Sequence, residues 1–186
     1  MHQGQGKLRR RVPTVWLMTD ARIPDADLLH AARRLPRGAA IVVRHYRRDV
    51  AGRRALFDGL RAVVGRRCRL LLAGSPEQAR AWGADGHHGP IPARRAGPWL
   101  HSASVHDHHE LLAAFRAGAD AILISPLFAT RSHPGGRPLG PVRFAALARR
   151  SSVPVIALGG VCPRHAGLVR RLGATGFAAI DGLVTR

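Results

Sequence analysis

A chain of 186 residues, 46% of them hydrophobic, suits one domain with a sizeable core and leaves little room for a second. No apolar run approaches the roughly 20 residues that span a bilayer, and the basic start over residues 1–11 has no signal-peptide core behind it, so a cytoplasmic protein without membrane attachment is expected. The formal net charge of +19 raises nucleic acid as a partner, since such a surface attracts phosphate backbones at low salt.

The distribution of that charge points elsewhere. Lys7 is the only lysine, and arginines recur in pairs such as Arg33-Arg34, Arg53-Arg54, Arg94-Arg95, Arg149-Arg150 and Arg170-Arg171. Most fall on or at the ends of predicted helices with no aromatic stacking platform between them, so they read as solvated helix faces and no specific nucleic-acid partner is expected. Cys68 and Cys162 are too few for a disulfide framework or a cysteine-ligated metal site and read as small apolar residues.

Residues 1–11 are expected to form a mobile basic tail ahead of one unit over 12–186. From there strands and helices alternate. The first strand falls at 14–18 and the first helix at 25–34; a strand at 40–44, a helix at 48–64, a strand at 69–73 and a helix at 76–82 follow. A weak strand at 86–89 leads into the proline- and arginine-rich stretch 89–98, where a shortened loop replaces a helix, and a strand at 99–103 precedes a helix at 107–117. Asp107 and Glu110 form a capping pair at that helix start. The remaining strands fall at 121–125, 154–158 and 176–180, with helices at 141–149 and 164–172; Gly118 and Gly173 mark helix ends. Eight strand slots in an αβ rhythm predict a small single-domain (β/α)₈ TIM barrel.

Three stretches carry chemistry. Gly159 and Gly160 follow the apolar run Val153-Pro-Val-Ile-Ala-Leu158, and Gly182 follows Gly176-Phe-Ala-Ala-Ile-Asp181. Glycines directly after a strand let backbone N–H groups approach a phosphate, and in eight-stranded barrels the loops after strands seven and eight are where phosphates are held. The alternative is that these glycines merely turn the chain. In His101-Ser-Ala-Ser-Val-His-Asp-His-His-Glu110, Ser104 and His106 stand where a strand passes into a helix, and a histidine there can move a proton near neutral pH. The four histidines lack a companion carboxylate or cysteine at a diagnostic spacing, so no metal is assigned to them. In the proline- and glycine-rich loop 125–140, Thr130, Arg131, His133 and Arg137 can clamp an anion or form a solvated connection.

Taken in order, Leu17-Met-Thr-Asp20, Ser104-Val-His106, Gly118-Ala-Asp120, Ser125-Pro-Leu-Phe-Ala-Thr130, Ala157-Leu-Gly-Gly160 and Gly176-Phe-Ala-Ala-Ile180 resemble the thiamine phosphate synthase/TenI superfamily over nearly the whole chain. Thr130-Arg-Ser-His-Pro-Gly135 is similar to the branch fused to Nudix hydrolases. The resemblance implies a (β/α)₈ barrel of thiamine biosynthesis or salvage that binds a thiazole phosphate through Gly159, Gly160, Ile180, Asp181 and Gly182, with Arg44, Thr130 and His133 at matching positions, and Arg131, beside Thr130 in the same loop, is expected as a further binding group.

Departures from the synthase pattern decide between reactions. The Gln, Arg and Lys that the resemblance places at the end of strand two stand as Val42, Arg44 and Tyr46; the Asn-Asp pair after strand three is Ala73-Gly74. The second Mg²⁺-binding aspartate after strand four is missing, His133 stands for the loop lysine and Asp181 for the serine after strand eight. Asp20 and Asp85 lie at other motif positions, and Arg44, Arg94, Arg131 and Arg137 can meet a pyrophosphate directly. Ser104-Val105-His106 matches the TenI-type tautomerase arrangement, in which His106 is the acid/base and Ser104 orients substrate, with no cofactor. The alternatives are a synthase that joins pyrimidine methyl diphosphate to thiazole phosphate with Mg²⁺, and a non-catalytic phosphate-ligand barrel. A homo-oligomer is compatible with either.

Overall fold

Short β-branched and leucine-rich runs such as Ala-Ile-Val-Val and Arg-Leu-Leu-Leu-Ala are apolar on both sides, which suits strands covered on two faces by a packed barrel interior and a helical layer. In the computed structural model, which describes residues 11–92, 99–132 and 135–184, eight parallel strands close in sequence order. They are β1 (Val15–Met18), β2 (Ala40–Val43), β3 (Arg69–Ala73), β4 (Gly86–His88), β5 (Leu100–Val105), β6 (Ala121–Ile124), β7 (Val155–Ala157) and β8 (Gly176–Ala179). Closure is made by β1 against β8, Val15 opposite Phe177 and Trp16 opposite Ala178.

Helices α1 (Asp25–Arg34), α2 (Val50–Val64), α3 (Pro76–Ala81), α4 (His108–Arg116), α5 (Gly140–Arg149), α6 (Ala166–Arg171) and α7 (Asp181–Val184) follow strands in turn. Their starts are written in the chain. The Asp49 carboxylate accepts from the Gly52 N–H at the head of α2, and the Ser75 hydroxyl accepts from the Glu77 and Gln78 N–H groups at the head of α3, with Pro76 at its first turn. Apolar side chains fill two contiguous clusters, one around Trp16, Phe57 and Leu71, the other around Phe144, Val105 and Phe177.

Several boundaries differ from the sequence expectation. Strand β5 runs on to Val105, because Ser104 and Val105 pair with Leu123 and Ile124 of β6; Ser104 is therefore a strand residue rather than a loop residue. The helix expected over 164–172 begins as a 3₁₀ turn, Pro163–His165, before α6, and the short α7 lies where the sequence pattern predicts no helix. No helix occurs in residues 89–92; the remainder of that connection, 93–98 with Arg94 and Arg95, lies outside the described residues, as do most of the expected tail and His133. Among the described residues no helix is long and apolar enough to cross a membrane.

Candidate functional site

Because every strand is parallel, all eight carboxyl ends open on one face of the barrel. There the loops after β6, β7 and β8 nest against each other. The Phe128 N–H donates to the Gly159 carbonyl at 3.0 Å and the Leu127 N–H to the Leu158 carbonyl at 2.8 Å, which lays the β6 loop across the end of β7. Glycine is required for that approach. A Cβ on Gly160 would stand 2.5 Å from the Ala129 carbonyl oxygen, and one on Gly182 would stand 2.7 Å from that of Val161. Gly159 and Gly160 also hold positive φ of 94° and 65°.

The nested loops enclose a cavity of about 420 Å³, within the usual size of small-ligand sites. Thr130, Arg131, Gly159, Gly160, Ile180, Asp181 and Gly182, all expected from the sequence, line it together with Arg164, Cys162 and His165. The cup thus offers backbone, two guanidinium groups, a hydroxyl and an imidazole to an anion. Its one carboxylate is Asp181, whose Oδ1 lies 3.1 Å from Arg131 Nη2.

Next to the cup, charged residues cross the mouth. Asp20 receives Arg22 Nε at 2.9 Å and Arg44 Nη2 at 3.0 Å. Arg22 reaches on to the Ser132 hydroxyl at 2.9 Å and stands 3.9 Å from Asp181, so the β1, β6 and β8 loops are tied together. Burial opposes ionisation of Asp20, but the hydrogen bonds from Arg22 and the charges of Arg22 and Arg44 outweigh it and hold the carboxyl below its ordinary pKa.

These groups do not fit a Mg²⁺ ion. Magnesium takes oxygen ligands, usually including one or two carboxylates. Asp20 and Asp181 are both engaged by arginines, and Asp85 lies at the opposite end of the barrel, held by Arg61 at 2.9 Å and by the Leu70 N–H at 2.7 Å. Among the described residues no group of three or more His, Cys, Asp or Glu is arranged to hold a metal.

Inside the barrel, below the mouth, Ser104 meets a residue the sequence reading did not single out. His88 on β4 places Nε2 3.1 Å from the Ser104 hydroxyl and Nδ1 3.0 Å from the Ser102 hydroxyl. Burial, reinforced by the positive charge of Arg44, pushes its pKa down to about 3, so it is a neutral imidazole that accepts from one serine and donates to the other. His106 lies differently. Its side chain is 53% exposed, Nδ1 is 2.7 Å from Glu110 Oε2, and it does not line the cavity. The Glu110 N–H donates to Asp107 while Glu110 Oε2 accepts the His106 N–H, so the expected capping pair forms with His106 as the reciprocal partner.

Sequence reasoning missed three further features. His45, one residue beyond the expected Arg44, is buried with φ of 36°, and its Nδ1 lies 3.0 Å from the Thr19 hydroxyl that also accepts the Arg44 N–H. Nothing in residue type announces a left-handed histidine. Cys162 is no mere core filler, because Sγ lies 3.5 Å from His165 Nδ1 at the cup wall. Its place two residues after the glycine pair was the available signal. Arg53 is buried rather than solvated and donates to the Val43 and Ala73 carbonyls at the ends of β2 and β3.

Comparison with known proteins agrees with this geometry. The thiamine-phosphate synthase of Chlorobium luteolum is 31% identical over 92% of this chain and 85% of its own length. A putative thiamine-phosphate synthase 2 of Aquifex aeolicus is 27% identical over 91% of this chain and 97% of its own. The solved thiamine phosphate pyrophosphorylase of Pyrococcus furiosus superposes with a TM-score of 0.72 at 20% identity, covering 94% of this chain and 88% of that one, which shows a shared barrel. The sequence profile of the thiamine monophosphate synthase (TMP-TENI) family matches residues 15–183, and the chain belongs to that family.

Proposed function

We propose that this chain serves thiamine biosynthesis or salvage by binding a thiazole phosphate and moving a proton within the thiazole, as a TenI-type tautomerase. The observation that carries the reading is the cup of nested glycine loops, which sets Arg131, Arg164 and backbone around a space of phosphate-ligand size. His106 is the proposed acid/base. Glu110 accepts the proton of Nδ1, which orients the ring and makes Nε2 the nitrogen that takes a proton from one thiazole position and returns it at another. The step is a redox-neutral isomerisation. Ser104, anchored by His88, orients the heterocycle.

A second reading is favoured by the names of the relatives, which are thiamine-phosphate synthases. Under it, Arg44 and Arg22 at the mouth neutralise a departing pyrophosphate in place of a carboxylate-held metal.

Two assays separate the readings. Thiazole phosphate supplied as its unstable tautomer should be isomerised, and His106→Gln should lower kcat by about 10² or more, the usual scale of acid/base assistance. Full rate in His106→Gln removes that residue from the mechanism. Thiamine phosphate formed from pyrimidine methyl diphosphate and thiazole phosphate would establish the synthase instead. Inactivity in both, with phosphate binding kept, would leave a binding protein.

A further inference from the structure

The opposite end of the barrel, where strands begin and helices finish, carries a charge the cup does not use. Each of the helices α1 to α6 has arginine in its last turn. One cation per helix offsets the negative end of the helix dipole, but the excess is larger than that. Exposed Arg149 and Arg150 close α5, and exposed Arg170 and Arg171 close α6; the two ends touch, since a Cβ on Gly173 would meet Ala148 Cβ at 3.4 Å. A second group forms where Arg67 donates to the Ala32, Arg33 and Leu35 carbonyls, bringing Arg66 beside exposed Arg33 and Arg37.

Almost no carboxylate balances this face. Of the 11 acidic residues, only Asp85 and Asp120 stand there; Asp85 pairs with Arg61 and accepts the Leu70 N–H, and Asp120 accepts the His101 N–H. Asp58 lies midway along α2, paired with Arg54, and the remaining eight lie at the functional end. The face also lacks apolar anchors. Among the described residues the exposed large hydrophobics are Tyr46, Val50, Ile91, Leu112 and Val142, none of them at this end.

We propose that this basic face docks on the phosphate backbone of duplex nucleic acid without reading its sequence. A protein interface would present aromatic or aliphatic hot spots, an interfacial membrane helix would present an apolar side, and a single-strand platform would present stacking rings. Arginine alone matches a repeating phosphate array, and the cup at the other end stays open while the face is occupied.

The test is fluorescence anisotropy of a labelled 30-base-pair duplex against the full-length protein between about 50 and 200 mM salt. The expected plot of log K against log salt has a slope of about −4 or steeper, as several phosphate contacts require. The variant R149Q/R150Q/R170Q/R171Q should bind at least tenfold more weakly with a slope shallower by about 3, and R149Q/R150Q should show about half that loss, while R47Q/R143Q, with two exposed charges removed from the other end and outside the cup, should bind as the parent does. Should the fourfold variant unfold, R149Q/R150Q carries the test alone. Equal losses in R149Q/R150Q and R47Q/R143Q would mean diffuse attraction by net charge and overturn the proposal. Unchanged binding by the basic-face variant would overturn it too, as would binding of anionic phospholipid vesicles through the same arginines at least as tight as that of duplex.

Discussion

Acidification should unfold this protein through His88. The imidazole is buried between two serine hydroxyls on β5, and protonation would turn its accepting nitrogen into a donor, reversing one hydroxyl beside the charge of Arg44. Its pKa is therefore about 3 in the folded state against an ordinary 6.5. A lowered value means that the unfolded chain binds a proton that the folded chain refuses, so the stabilisation is complete above pH 6.5 and is lost as pH falls towards 3. The loss runs at about 1.4 kcal/mol per pH unit and reaches about 5 kcal/mol by pH 3. His87 and His45, also lowered by burial, add in the same direction. Domains of this kind hold about 5–15 kcal/mol in reserve, so His88 alone removes a large share. Urea titrations followed by circular dichroism at pH 7, 6, 5 and 4 should show the midpoint falling steadily, and His88→Asn, which can still donate to one serine and accept from the other, should flatten that dependence. A midpoint independent of pH between 6.5 and 4, or an unchanged slope in His88→Asn, would show that His88 does not govern the acid limb.

Other consequences concern the cup. Gly160→Ala places Cβ 2.5 Å from the Ala129 carbonyl oxygen at a left-handed φ, so it should cost roughly 3 kcal/mol in a denaturant titration and abolish phosphate binding in calorimetry. Asp181→Ser removes the carboxylate that competes with phosphate for Arg131, and phosphate affinity should rise about five- to tenfold; weaker binding would show that Asp181 helps hold the ligand. Asp49→Ala, which removes the cap of α2 and touches none of the cup's lining, should lower stability by about 1 kcal/mol and leave ligand affinity as it was.

The barrel was readable because its strands are unbroken apolar runs, from Ala40-Ile-Val-Val43 to Ala121-Ile-Leu-Ile124, and because glycine and capping residues punctuate the helices between them. Where local pattern is weak, tertiary pairing decided the outcome. Ser104 belongs to β5 only because β6 offers it a ladder partner. The glycine cup was legible for the same reason as the barrel, since a glycine pair after a buried strand has few other uses. What the sequence did not carry is depth. His88 and His106 are the same residue type on either side of Ser104 in the chain, yet one is sealed inside the barrel and the other faces solvent beside Glu110. Likewise Arg53 and Arg54 are neighbours on α2, and only the fold sends Arg53 inward to the strand ends while Arg54 pairs with Asp58.

The proposed role of the β7–β8 cup is to recognise the phosphate of a phosphorylated thiazole. Calorimetric titration with thiazole phosphate and, in parallel, with the unphosphorylated thiazole alcohol tests it directly. The phosphate ester should bind at least about 100-fold tighter than the alcohol, the scale of about 2.7 kcal/mol that a guanidinium and backbone cradle supplies, with the preference lost in Gly160→Ala. Equal affinity for the two compounds, or a preference that survives Gly160→Ala, would contradict it.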